Sequence, residues 1–298
     1  MCSNEIIHNY HIFAVQIKIL DMMPQKVILV PVDFSKVSEV CVNHACSIAQ
    51  RVGADIHLLH LVDKEKSLAD GRAQLDAFSK ERQAIEGSEV KFLETVEVGN
   101  ILKAIGEKAE ELKANLVVMG THGLQGLEYI VGTHAVRIIG TADVPFVIVQ
   151  EKEISKNGYE NIIVPIEIEA ESKQKLSLVV QMAKTFDSAV HLVMPYESDE
   201  FRRNAQERNL SYASGFMKKN GVSYTATVAD PENDDLDEAA MQLVEEKKGD
   251  LIAIMNWHES RIIGGIGSDD TQDIIINKNM VPVLVMNPTL IGVSHLLI

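Results

Sequence analysis

Two glycine-containing segments in the first half of the chain have the spacing of a loop that binds an anion. Gly120-Thr121-His122-Gly123 is followed, after eight intervening residues, by Gly132-Thr133. Glycine adopts positive φ and lets backbone N–H groups approach phosphate oxygens closely. The first N–H groups of a helix that starts near Thr133 have no intrahelical partner and carry the positive end of the helix dipole. The pattern favours phosphate binding, although a glycine-rich turn without a ligand would contain the same residues.

A carboxylate stands after the first predicted strand, at Pro31-Val32-Asp33, while Met119 and Gly120 close the fourth. Ligands of open parallel sheets bind beyond the carboxyl ends of the strands, where the winding direction reverses. For the strand order 3-2-1-4-5 that crevice lies between the first and fourth strands, which brings the carboxylate and the glycines together. Asp33 has a second interpretation, as the N-cap of the helix that follows it.

Short apolar runs that alternate with longer amphipathic stretches are the elements that must position these residues. Strands are predicted at 26–32, 54–62, 90–98, 115–119 and 145–149, and helices at 36–51, 68–85, 100–113 and 133–140. Such alternation is typical of parallel strands joined by right-handed crossovers. We therefore predict the α/β class, with a doubly wound five-stranded parallel sheet.

The same order of landmarks occurs a second time. V-I-L-V-P-V-D (27–33) returns as I-I-V-P-I-E (162–167), and V-P-F-V-I-V-Q (144–150) returns as V-P-V-L-V-M-N (281–287). Such regularity indicates a tandem duplication. We divide the chain into an N-terminal extension, a first domain, a polar linker, a second domain and a C-terminal tail, at 1–24, 25–150, 151–159, 160–289 and 290–298.

These segments resemble the universal stress protein family over residues 25–288. The family's nucleotide-binding signature is Gly-x2-Gly, nine residues and Gly-Ser/Thr, and this chain has the same pattern with eight residues in the middle. V-P-V-D-F-S (30–35), L-L-H-L-V (58–62) and V-P-F-V-I-V (144–149) also look like family segments.

The resemblance implies that the first domain binds an adenine nucleotide: ATP, AMP or a cyclic nucleotide. It implies that Asp33 lies near the nucleoside, that Leu61 offers backbone polar groups to adenine, and that Met119 and Gly120 line the nucleoside. Mg²⁺ would bridge the phosphates to Asp33. Residues 120–134 contain no Lys or Arg, so we expect modest affinity. The full set of expected binding residues is Pro31, Val32, Asp33, Leu61, Met119, Gly120, His122, Gly123, Gly132, Thr133 and His134.

The second half has lost this signature. Met255 and His258 stand where the first half has Gly120 and Gly123, and Glu167 replaces Asp33. Side chains at the glycine positions obstruct the close approach of a phosphate. We expect a degenerate, structural domain, with a second nucleotide site as the alternative.

No residue pattern in the chain predicts strong catalysis. There is no Walker lysine and no nucleophile with a neighbouring base, so phosphoryl transfer would lack its cations. The histidines have no metal-ligand spacing, and we expect no metal bound by the protein alone. The favoured function is a stress-response sensor or regulator that acts through protein contacts. The alternatives are a nucleotide-free dimerisation scaffold and a slow ATPase.

Composition limits the classes of partner that the protein is expected to bind. The formal net charge of −15 disfavours nucleic acid and anionic lipid, and no apolar run is long enough for a membrane span. Three cysteines make no disulfide framework, so we expect a cytoplasmic protein. The last strand of each domain is an apolar edge that must be covered. The resemblance implies antiparallel pairing of these edges, which favours an internal pseudo-dimer and leaves a homodimer through the same strands open.

Overall fold

The computed structural model describes residues 25–87, 89–121, 133–230, 235–256 and 270–288. In the first half the strands are β1 (Lys26–Pro31), β2 (Ala54–Val62), β3 (Phe92–Val98), β4 (Leu116–Gly120) and β5 (Phe146–Val149). The helices are α1 (Lys36–Val52), α2 (Leu68–Glu86), α3 (Ile101–Glu111) and α4 (Thr133–Ile139). Each predicted strand and helix of this half is present, with ends that differ by at most two residues.

The second half repeats this order of elements. Its strands are β6 (Asn161–Pro165), β7 (Ala189–Met194), β8 (Tyr224–Val228), β9 (Leu251–Met255) and β10 (Val283–Met286). Its helices are α5 (Lys175–Phe186), α6 (Glu200–Lys219), α7 (Leu236–Lys247) and α8 (Asp270–Ile275). A short 3₁₀ helix, Ala170–Gln174, precedes α5.

All ten strands form one sheet in the order β3-β2-β1-β4-β5-β10-β9-β6-β7-β8. The first half has the predicted order 3-2-1-4-5. The second half has the same order, read from the opposite end of the sheet. One core cluster joins α1, α2, α5 and α6 to one face of the sheet, and a second joins α3, α4, α7 and α8 to the other. Because both faces are covered, the inner strands are apolar on both sides, as parallel strands require.

The two halves meet where β5 and β10 pair antiparallel, with Val147 opposite Leu284. Both strands are completely buried. Reciprocal amide contacts flank the junction: Gln150 donates to the carbonyl of Asn277, and Asn287 donates to the carbonyls of Ile139 and Ala142. The predicted antiparallel pairing therefore occurs within the chain. It leaves neither strand with an open edge, so the homodimer considered for these strands has no edge to use.

The segment between the halves contributes a buried aromatic residue to this arrangement. Tyr159, expected in a polar linker, is 1% exposed and packs its ring edge against Phe186 of α5. Its hydroxyl lies 2.7 Å from Nδ1 of His44, a buried residue of α1. Nε2 of the same ring lies 2.9 Å from the carbonyl oxygen of Lys152. Since a carbonyl only accepts, Nε2 donates and Nδ1 accepts from Tyr159, which requires a neutral imidazole.

This contact predicts that acid weakens the folded state. Burial lowers the pKa of His44 from 6.5 to about 4, and the hydrogen bond to Lys152 opposes the shift. A depressed histidine pKa means that the unfolded chain takes up the proton first, so stability is lost as pH falls from about 6.5 towards 4. The loss attributable to His44 is up to about 3 kcal/mol.

Urea unfolding between pH 7.5 and 4.5 measures this loss, with His44→Gln as the matched variant. We expect a shallower decline of unfolding free energy in the variant. Equal slopes in the two proteins would contradict the role of His44.

Candidate functional site

The carboxyl ends of β1 and β4 separate from each other and open the sheet at this point. The last paired residues of these two strands are Leu29 and Val117. Beyond them β1 follows β2 as far as Pro31, and β4 follows β5 as far as Gly120. This is where the winding direction reverses, the position at which open α/β sheets bind ligands.

Asp33 lies in the turn that leaves β1, and the described residues satisfy only one of its two carboxylate oxygens. Oδ1 accepts from the backbone N–H of Ser35 at 3.0 Å and from the hydroxyl of Ser38. The Asp33 N–H in turn donates to the Ser38 oxygen at 3.0 Å. Oδ2 is buried and accepts no hydrogen bond from any residue that the structure describes. Such an oxygen costs free energy unless a donor or cation reaches it.

The interpretation of Asp33 as the N-cap of α1 is wrong. The N-cap is Ser35, whose hydroxyl oxygen accepts from the Ser38 N–H at 3.3 Å. Asp33 lies two residues earlier and closes the turn before the helix. Because capping is done by a serine, the carboxylate is left with an oxygen for another partner.

An aromatic cluster behind the turn holds its backbone in place. Phe34 has φ of 64°, an uncommon conformation for a bulky residue. Its ring lies 4.5 Å from that of His60 and 5.7 Å from that of Phe78. Nδ1 of His60 is 2.9 Å from the carbonyl oxygen of Val32 and therefore donates to it. Sequence reasoning missed this support, since nothing in the residue types signals a left-handed phenylalanine.

Several expected binding residues have side chains that belong to the core. Val32 and Met119 are 3% and 2% exposed, so neither side chain is free to line a large cavity. The Val32 N–H donates to Leu59, and its carbonyl accepts from His60. Pro31, Leu61 and Gly120 are half-buried at the carboxyl ends of β1, β2 and β4, as predicted from their strands.

The glycine loop itself falls outside the described residues. His122, Gly123 and Gly132 lie in 122–132, and their predicted contacts stay predictions. Thr133 is the first residue of α4, so the helix predicted to follow the loop is present. The side chains of Thr133 and His134 also lie outside what the structure describes.

In the second half the equivalent carboxylate is fully paired. The ammonium of Lys175 lies 2.6 Å from both Oε1 and Oε2 of Glu167. Lys175 is 1% exposed, and burial lowers its pKa while Glu167 opposes the shift. The side-chain amide of Asn209 donates to the carbonyls of Glu167 and Ile168, which fixes the turn. Met255, expected to obstruct this cleft, is buried in the core, and His258 lies outside the described residues.

Comparison with known proteins decides the family. Universal stress protein MJ0531 of Methanocaldococcus jannaschii is 33% identical over 140 residues, which cover 42% of this chain and 82% of the relative. Universal stress protein G of Escherichia coli O157:H7 is 30% identical over 143 residues, 42% of this chain and 99% of the relative. The chain belongs to the universal stress protein family. The family model "Universal stress protein family" matches residues 25–150.

Solved structures extend the likeness in fold to both halves of this universal stress protein. A universal stress protein from Archaeoglobus fulgidus DSM 4304 superposes with a TM-score of 0.66 at 16% identity, over 88% of this chain and 96% of the other. A second structure, from Pseudomonas aeruginosa UCBPP-PA14, gives a TM-score of 0.61 at 13% identity, over 89% and 94% of the two chains. At these identities the likeness shows the tandem fold alone.

Two further histidines make structural contacts. His57 and His191, equivalent in the duplication, bond the hydroxyls of Thr95 and Thr225, and burial lowers the pKa of both. Within the described ranges no three His, Cys, Asp or Glu side chains converge as metal ligands. Nor does any helix in these ranges have the length and apolar character needed to cross a bilayer.

The capping geometry predicts unequal effects for two serines. Ser35 caps α1 with a side-chain hydrogen bond, whereas Ser67, the N-cap residue of α2, makes none. Ser35→Ala should therefore lower the free energy of unfolding by about 1 kcal/mol. The matched variant Ser67→Ala should leave it within about 0.5 kcal/mol. Urea unfolding measures both, and equal losses would contradict the assignment of Ser35 as the cap.

Proposed function

We propose that this universal stress protein binds an adenine nucleotide in its first half and acts as a sensor or regulator. The observation that carries the proposal is the buried Oδ2 of Asp33, which has no hydrogen-bond donor among the described residues. Asp33 follows β1, whose carboxyl end separates from that of β4. A nucleoside is a suitable occupant, because its sugar hydroxyls are neutral donors that a carboxylate accepts.

The phosphates of the nucleotide also have matching positions in the sequence. β4 ends at Gly120, and in the sequence Gly123, Gly132 and the start of α4 at Thr133 follow it. Backbone N–H groups there would face the phosphates, and a negative protein can bind an anion in this local way. The absence of Lys and Arg from residues 120–134 is the reason to expect modest affinity.

Mg²⁺ would enter this site together with the nucleotide. Asp33 offers one oxygen that no described residue satisfies, and Mg²⁺ is commonly held by one or two carboxylates together with phosphates and water. The residues therefore fit a cation shared with the nucleotide better than one held by the protein alone.

Binding and signalling suit this site better than turnover. Lys36, the lysine at the start of α1, is exposed and paired with Glu39 and Glu153, so it is not poised for transferring phosphoryl groups. Without a preorganised cluster of cations, the charge that develops in phosphoryl transfer has little stabilisation. Nucleotide occupancy would instead alter surfaces that protein partners recognise, within the cytoplasm.

Replacing the carboxylate should weaken nucleotide binding. Asp33→Ala removes one charge-assisted hydrogen bond, and we expect the Kd for ATP to rise at least about tenfold. Equilibrium dialysis with labelled ATP measures it. Asp63→Asn, at an exposed carboxylate just beyond β2, is the control and should bind as wild type does. The same Kd in wild type and Asp33→Ala would place the nucleotide elsewhere, and no uptake by wild type would favour a nucleotide-free scaffold.

Hydrolysis should be very slow. Phosphate release from ATP by the purified chain should lie at least roughly a thousandfold below an ordinary enzyme turnover of about 10 per second. Release is followed with and without Mg²⁺ against an Asp33→Ala blank. Turnover at the ordinary rate that is abolished in the blank would make the protein an ATPase.

A further inference from the structure

Each half has a carboxylate after its first strand, and the residue that lies behind it differs between the halves. Asp33 and Glu167 are equivalent in the duplication, as are Pro31 and Pro165. At the same separation along the chain, Cys41 of α1 corresponds to Lys175 of α5. Both side chains are fully buried. Behind the carboxylate, therefore, the first half has a thiol and the second half has an ammonium.

The difference decides how each carboxylate is balanced. In the second half, Lys175 reaches both oxygens of Glu167 at 2.6 Å. In the first half, burial and then the charge of Asp33 raise the pKa of the Cys41 thiol, which keeps it neutral. A neutral thiol supplies no positive charge, and Oδ2 of Asp33 is left without a hydrogen-bond partner among the described residues.

We propose that Lys175 is a built-in counter-ion that satisfies the Glu167 carboxylate of the second half, so that the chain takes up one nucleotide, in the first half only. This inference rests on the nucleotide site proposed above. A ligand that enters beside Glu167 meets two oxygens that already accept from a buried ammonium. To bond either oxygen, it must compete with a charge pair in a site of low dielectric, where such pairs are strong.

The turn around Glu167 supports the same conclusion. Its backbone carbonyls at 167 and 168 accept from Asn209, which is itself buried. The side chain of Glu167 is 11% exposed, and that of Lys175 is 1% exposed. The Glu167 turn is therefore satisfied by described residues of the second half, which leaves the first half as the one that responds to nucleotide.

Stoichiometry with labelled ATP tests the proposal on the full chain. Equilibrium dialysis at saturating ATP should give one nucleotide per chain for wild type. Two nucleotides per chain would overturn the inference. No uptake would refute the proposed function and, with it, the stoichiometry of one.

A transplant of the counter-ion tests the cause. The variant Cys41→Lys places an ammonium behind Asp33, as Lys175 stands behind Glu167, and should weaken ATP binding at least about tenfold. Cys41→Met has a long side chain without the charge and is the matched control. Equal ATP affinity in the two variants, each shown to be folded by its thermal midpoint, would overturn the role given to the ammonium.

An unfolding measurement tests Lys175 without any nucleotide. Lys175→Met leaves the Glu167 carboxylate without its counter-ion and should raise the equilibrium constant for unfolding at least about a hundredfold. Glu167→Gln/Lys175→Met removes both charges and should recover most of that loss. If the double variant is as unstable as the single one, Lys175 is not the counter-ion. This result is independent of ATP, so it separates a failure of this inference from a failure of the proposed function.

Discussion

A carboxylate at the end of the first strand of each half must be satisfied, and the two halves satisfy it differently. The fold buries this group because helices cover both faces of the sheet and the turn after the strand leads directly into a helix. A buried carboxylate without a partner is costly. Lys175 balances it inside the second half, whereas Asp33 keeps one oxygen that the described part of the chain does not satisfy. The asymmetry between the halves follows from this one requirement.

The antiparallel junction of β5 and β10 makes the two halves one body. Each strand has a neighbour on both sides, so the apolar edges that two separate domains would expose are buried. Tyr159 and His44 add a second contact between the halves, on the face of the sheet that α1 and α5 cover. A duplicated chain thus forms internally a pairing for which single-domain proteins would need a second copy. The second half can lose ligand binding and still be required for the first to keep its edge covered.

Patterns that depend on periodicity and order were predictable from the sequence. The alternation of apolar runs with amphipathic stretches fixes strands and helices, and the duplication gives the second half from the first. Two apolar edge strands predicted that these edges are covered, whereas their antiparallel pairing was implied by the resemblance to the family. The details of the site did not follow in this way. Ser35 and Asp33 are both good N-cap residues, and only the backbone path shows that Ser35 lies at the cap. Tyr159 was placed in a polar linker because its neighbours are polar, while its burial depends on Phe186, a distant residue.

Lys175 shows what a repeat can reveal when its buried positions are compared as well as its motifs. The glycines and acidic residues of the two halves invite comparison because their types suggest chemistry, whereas a lysine at the start of a helix is ordinary in a sequence. Its meaning comes from burial and from the 2.6 Å contacts with Glu167, and then from the thiol at the equivalent position. A charge that is lost from one copy, or gained in the other, changes which copy needs a ligand. Duplicated folds can in this way divide binding and support between two halves that keep the same backbone.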